Sequence, residues 1–225
     1  LLERIGACEI GAAPVEEFVI DDSSSLPAGD WLPADPGRGI ARVTKLRLER
    51  NLGHQGAIAV GLSHVAAEAT SDCIVIMDAD GEDRPEDIPQ LLSAYERGEG
   101  RSIVFAQRRE RQEAASFQFL YRNFKTFHKF LTGHSMDIGN FSAVPVEHAA
   151  NLTSFPELWS HYPATVLKSK LPVIKEPIDR GARIDGQSQM SLTSLILHGL
   201  ASVSVFAPIV GARMLIVTAL SLIHI

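Results

Sequence analysis

Asp78-Ala-Asp80 follows directly on the apolar run Cys73-Ile-Val-Ile-Met77. Alternate residues leaving a strand can aim two carboxylates toward one hard cation when the backbone turns there. Such a pair suits Mg2+ or Mn2+ held against a diphosphate, because magnesium takes one or two protein carboxylates and keeps its other positions for phosphate oxygens and water. A solvated acidic loop is the plainer alternative. Spacing excludes a calcium-sensing loop, which needs glycine at its sixth position and glutamate at its twelfth. Counted from Asp78, the glycine is fourth and the twelfth residue is Pro89.

Two further groups could act with this pair. Glu17-Phe-Val-Ile20 ends abruptly in Asp21-Asp22-Ser23, which reads as a buried strand delivering Asp21 and Asp22 to a base or ribose at its carboxyl end. A turn or helix-capping role is the alternative. Arg108, Arg109 and Arg111 carry planar donors that match phosphate oxygens and would balance the carboxylates around an anionic ligand. Plain surface solvation would also explain them.

The elements that must position these groups alternate along the chain. After Asp22 come a Pro- and Gly-rich loop, a half-exposed strand over Val43–Leu48 and a helix from the Asn51-Leu-Gly-His-Gln-Gly-Ala57 turn to about Thr70. The Cys73–Met77 strand, a proline-started helix over Pro85–Tyr95 and a strand over Ser102–Ala106 follow. A long helix then carries the stripe Phe117, Leu120, Tyr121, Phe124, Phe127, His128 and Leu131, explained by packing on a sheet, with a groove for an apolar ligand as the alternative. Alternating strands and helices predict an α/β fold with a doubly wound, mostly parallel sheet and acid-bearing loops on one edge.

Composition narrows the function. The 225 residues hold 21 basic and 27 acidic side chains, a formal charge of -6. That balance argues against a nucleic-acid partner, which needs clustered Lys and Arg. Cys8 and Cys73 cannot build a disulfide framework, and Cys73 reads as a small buried hydrophobe. The apolar excess gathers at one end: from Ile184 to Ile225 the only Asp, Glu, Lys or Arg residues are Asp185 and Arg213.

Taken together these residues resemble the family 2 glycosyltransferases, in the polyprenyl-phosphate branch that includes dolichol-phosphate mannose synthase. Val19-Ile-Asp-Asp-Ser23 is similar to the family's nucleotide-binding strand end. Asn51-x-Gly53 with Ala57 and Gly61 resembles its donor-side helix, and Ile76-Met-Asp-Ala-Asp80 with Pro85-Glu86 its metal motif. Arg108-x-x-Arg111, Asp137-Ile-Gly-Asn-Phe141 and Arg183-x-x-Gly186-x-Ser188-Gln-Met190 fall where the family has R-x-x-R, G-D-F or G-S-F, and R-x-x-G-x-S-K-M. Two departures stand out. Gln189 replaces a lysine near phosphate, and Asn140 replaces the acid of the G-D-F form. An amide takes up no proton at neutral pH, so Asn140 is tolerable if the acceptor is an ionised phosphate, and Asp137 is a weaker base candidate.

The resemblance implies a GT-A-like catalytic domain over 1–190, with the family's first strand preceding Leu1. A membrane-interface helix and the start of a transmembrane segment occupy 191–225. It implies a nucleotide-diphosphate sugar as donor and a polyprenyl phosphate or other lipid acceptor, with inversion. Asp78 and Asp80 would hold Mg2+ or Mn2+, and Asp80, Asp137 and Asn140 are the catalytic candidates. Asp21, Asp22, Asn51, Asp78, Arg108 and Arg111 would bind the donor, and Arg183, Ser188 and Gln189 the acceptor phosphate. Leu192, Leu195, Ile196, Gly199 and Leu200 share one helical face, as for a helix lying in a headgroup layer. Pro208 would break that helix, and a span beginning at Met214 would leave Arg213 and the catalytic domain on the cytoplasmic side. A homo-oligomer is compatible with all of this. The rival readings are a nucleotide-sugar-binding membrane subunit that has lost turnover, and a phosphatase with Asp78 as nucleophile. Glu82 stands where that second class expects Thr or Val.

Overall fold

A computed structural model describes residues 1–8, 10, 15–25, 39–108, 115–179 and 192–224. A short helix α1 (Leu2–Gly6) precedes two parallel strands, β1 (Val15–Asp21) and β2 (Ile40–Arg47), whose register pairs Asp21 with Arg47. Helix α2 (His54–Glu68) leads to β3 (Cys73–Ile76), and a 3-10 turn at Pro85–Asp87 opens α3 (Ile88–Arg97). Then come β4 (Ile103–Arg108), α4 (Ala115–Thr132), β5 (Ser142–Pro145), α5 (Val146–Leu152), α6 (Tyr162–Ser169) and β6 (Val173–Ile178). Two apolar helices, α7 (Leu192–Ser204) and α8 (Ala207–His224), complete the described chain.

The strands form two sheets, β1-β2 and β3-β5-β4-β6. β4 and β6 run parallel, whereas β5 runs antiparallel to both β3 and β4. The α/β alternation is as the pattern implies, and β5 and β6 are additions to it. β5 is the one that bears on the site. Its four residues Ser142–Pro145 are too short to announce a direction, yet that direction assembles the site described below.

Both faces of the larger sheet are covered, the condition under which strands become uninterrupted apolar runs. Along β4 the residues alternate between two cores. Ile103 and Phe105 join Leu62, Leu152 and Tyr162 on the face of α2, α5 and α6. Val104 and Ala106 join Ile88, Leu91 and Phe141 on the face of α3. Cys73 packs against the second core, where burial pushes its thiol up to about 12. The smaller sheet is seated on α2 through Gly61. A Cβ added there would lie 2.8 Å from Ile20 Cγ1, so only glycine lets the helix approach the strand that carries Asp21.

Of the stripe on α4, His128 and Leu131 are buried and Phe127 is exposed where the helix packs on α7 and α8, and the side chains of Phe117, Leu120, Tyr121 and Phe124 lie outside the described residues. One expectation for the apolar end is corrected. Pro208 does mark a break, since α7 ends at Ser204 and α8 starts at Ala207, but it does not hold the span back to Met214. It sits in the first turn of α8, where a missing N–H costs nothing, so the apolar helix already starts at Ala207. Arg213 therefore lies inside α8, where its guanidinium donates to the Phe130 and Leu131 carbonyls at 2.5 and 2.9 Å. These belong to the last turn of α4, which has no helical donors left to satisfy them.

Candidate active site

The antiparallel β3–β5 pair brings the Asp78-Ala-Asp80 loop to the same edge as Asn140. Ile76 pairs with Ser142, so the chain leaving β3 toward Asp78 and the chain entering β5 from Asn140 share one edge. Helix α2 supplies the link. His54 Nε2 lies 2.7 Å from Asn140 Nδ2 and 3.4 Å from Asp78 Oδ1. Gly53, with φ of +77°, makes the turn into α2 that a side chain would strain.

The acidic loop is ordered by its own side chains. Asp83, 1% exposed, accepts from the Asp78 N–H at 2.9 Å, and Asp80 Oδ1 accepts from the Glu82 N–H at 2.9 Å. Asp78 and Asp80 are themselves half-buried. Among the described residues no group of three or more His, Cys, Asp or Glu side chains could enclose a metal ion. The donor set at this edge is a pair of hard carboxylates, which fits a cation that completes its shell from phosphate and water.

The first acidic pair does structural work at the end of β1. Asp21 is buried and accepts from the Ser24 N–H at 2.9 Å, and Asp22 accepts from the Leu52 N–H at 2.7 Å. Asn51 donates to the Asp22 carbonyl at 3.0 Å and accepts from the Gly53 N–H at 3.1 Å. These bonds tie the β1 end to the start of α2. Beside them, Ser23, Arg47, Leu48 and Glu49 line a polar recess of about 240 Å³.

Asp137 is committed elsewhere. One carboxylate oxygen pairs with Lys175 Nζ at 2.6 Å and the other accepts from Gln107 at 2.9 Å, so a proton-accepting role would have to break an ion pair. Arg108 closes β4, its backbone paired with Ile178, but its side chain lies outside the described residues, as do Arg111, Arg183, Ser188 and Gln189. Sequence reasoning passed over His54, Gln55 and Tyr162. Gln55 Nε2 donates to Asn140 Oδ1 at 3.2 Å while its Oε1 accepts from the Tyr162 N–H at 2.6 Å. The available signal was an adjacent His-Gln pair opening a helix whose next eight residues are small or apolar.

Residues 6–152 match the family model described as glycosyl transferase family 2. The chain belongs to that family. Among curated proteins this family 2 chain is 32% identical over 137 residues to the undecaprenyl-phosphate 4-deoxy-4-formamido-L-arabinose transferase of Yersinia enterocolitica, covering 60% of this chain and 40% of that protein. It is 37% identical over 110 residues to the transferase of the same name from Enterobacter sp. (strain 638), covering 48% and 31%. The chain thus spans at most about two fifths of the length of these relatives. Among solved structures it resembles a CMP:2-keto-3-deoxy-manno-octonic acid synthetase bound to CTP, with a TM-score of 0.48 and 11% identity over 84% of this chain and 99% of that one.

Proposed function

We propose that this family 2 chain carries the catalytic region of an inverting glycosyltransferase that moves a sugar from a nucleotide-diphosphate donor to a polyprenyl phosphate at a membrane surface. The meeting of Asp78, His54 and Asn140 at the β3–β5 edge carries the reading. The relatives' names describe sugar transfer to undecaprenyl phosphate, which supports the acceptor class.

The roles follow from the geometry and the resemblance. Asp21 and Asp22 hold the β1 end beside the polar recess, where the nucleoside would sit. Asp78 and Asp80 would hold Mg2+ or Mn2+, which when bound stabilises the charge of the departing diphosphate. By resemblance Arg108 and Arg111 share that charge, and Arg183, Ser188 and Gln189 face the acceptor phosphate. Attack from the side opposite the diphosphate inverts the anomeric carbon. An ionised phosphate needs no base, so the amide of Asn140 is sufficient.

Helix α8 is long and apolar enough to cross a membrane, and none of its residues is buried. At 1.5 Å per residue its 18 residues extend about 27 Å, close to the hydrocarbon thickness of a bilayer. We place it in the membrane, with the catalytic region on the cytoplasmic side.

The deciding experiment incubates the full chain in detergent with nucleotide-diphosphate sugars, undecaprenyl phosphate and Mg2+ or Mn2+. Metal-dependent transfer is expected, and Asp80→Ala is expected to lower it by at least about a hundredfold. Unchanged transfer by that variant would sink the metal assignment. Because Asn140 is an amide, a second reading remains, a donor-binding subunit without turnover. Donor affinity with no product on any lipid phosphate would favour it.

A further inference from the structure

A chain of side-chain hydrogen bonds runs from a buried main-chain amide to His54, beside Asp78, and its direction is set at the buried end. The Tyr162 N–H can only donate, and it donates to Gln55 Oε1 at 2.6 Å. Gln55, itself buried, is left with its NH2 group, which donates to Asn140 Oδ1 at 3.2 Å. Asn140 has then used its oxygen, so its own NH2 faces His54 and donates to Nε2 at 2.7 Å. That ring nitrogen must carry a lone pair, which places the imidazole proton on Nδ1. The 3.4 Å approach of the same Nε2 to Asp78 Oδ1 is then a contact between acceptors rather than a hydrogen bond.

The backbone of Asn140 is held from the same tyrosine. Ser142 Oγ donates to the Asn140 carbonyl at 2.9 Å and lies 2.8 Å from the Tyr162 hydroxyl. Tyr162 and Ser142 are both fully buried, so the reference point of the chain belongs to the core and not to a loop.

We propose that Gln55 is a positioning residue that sets this polarity and so makes position 140 a hydrogen-bond donor, selecting an acceptor oxygen that arrives ionised over an alcohol that must lose a proton. The proposal rests on the glycosyl-transfer reading of the site. With its oxygen committed to Gln55, Asn140 has one N–H left to offer an anionic oxygen and nothing to offer a hydroxyl proton. In the step itself the ionised phosphate oxygen bonds to the anomeric carbon as the bond to the diphosphate breaks. The electron pair leaves with the diphosphate, and no proton moves.

The test has two arms. Nitrogen NMR of the His54 ring, on the full chain in detergent without substrates at about pH 8.5 where an ordinary imidazole is neutral, reads the relay directly. The Nδ1–H tautomer is expected in the native chain. Gln55→Glu accepts from Tyr162 equally well but cannot donate, so Asn140 must turn over and His54 must switch to Nε2–H. Gln55→Met makes neither bond and should leave both tautomers populated. A native chain in the Nε2–H form overturns the proposal without requiring any variant to fold.

The second arm compares undecaprenyl phosphate with undecaprenol as acceptors. The native chain should use only the phosphate. Gln55→Glu should lower kcat about tenfold, the loss of one oriented hydrogen bond, with the donor KM unchanged. Equal use of the alcohol overturns the selectivity. No transfer to either lipid overturns the glycosyl-transfer reading and the acceptor role with it, while the tautomer result still reports whether the relay exists.

Discussion

His161 caps α6 with its own ring: Nδ1 accepts from the Ala164 N–H at 3.2 Å, and the residue is 3% exposed. The ring of His198 lies 4.7 Å away on α7. Burial, followed by the nearby rings of His198, His128 and His54, pushes His161 down to about 3. Between the ordinary value of about 6.5 and that depressed one, the unfolded chain binds a proton that the folded chain refuses. Stability is therefore fully present above pH 6.5 and falls as the pH drops toward 3, at up to about 1.4 kcal/mol per pH unit. His161→Asn keeps a capping oxygen and removes the titration. Denaturant melts across this window should show a shallower acid slope for the variant, and an identical slope would exclude His161 as its origin. At this scale Asp78 and Asp80 were legible because carboxylates after an apolar strand are unusual by type. His54 and Gln55 were not, since their roles depend on partners 85 to 107 positions away.

At the scale of elements, the site depends on two seatings. The first is α2 on β1, where Gly61 faces Ile20. Gly61→Ala should destabilise the chain by about 1–3 kcal/mol through overpacking. Ile20→Ala in the same chain should recover part of that loss in denaturant titrations, and additive losses would show that the two do not meet. The second is β5 between β3 and β4, antiparallel to both. The alternation of strands and helices was legible from apolar runs and proline-started helices. The four buried residues of β5 offered neither period nor turn chemistry from which to read a direction.

At the scale of the molecule, the apolar surface is concentrated rather than scattered. Leu215, Ile216, Leu220, Leu222 and Ile223 on α8 are exposed, with Leu197 and Leu200 on α7 and Phe127 and Phe130 on α4. A patch of this extent marks an interaction surface. The elbow between α7 and α8 is the part the domain holds, because Val205 and Phe206 are buried with Ala164 and Phe206 stacks on His134 at 4.7 Å. The full chain should therefore float with phospholipid vesicles and resist release by salt. Ile216→Lys with Leu220→Lys should abolish flotation, each lysine costing about 2.5–3.5 kcal/mol at a helix centre in a bilayer. Flotation that survives both charges would place the membrane contact elsewhere.

The order of residues along the chain was enough for the family, the acidic motif, the α/β alternation and an apolar end, because each rests on residue type and local period. Where those pieces meet was decided only by tertiary structure. Asn140 and Asp78 meet at His54 because β5 runs against β3, and the Asn140 amide points as it does because a buried Tyr162 N–H has only one thing it can do. Strand direction and hydrogen-bond polarity are properties of pairs distant in sequence, and no local pattern encodes them.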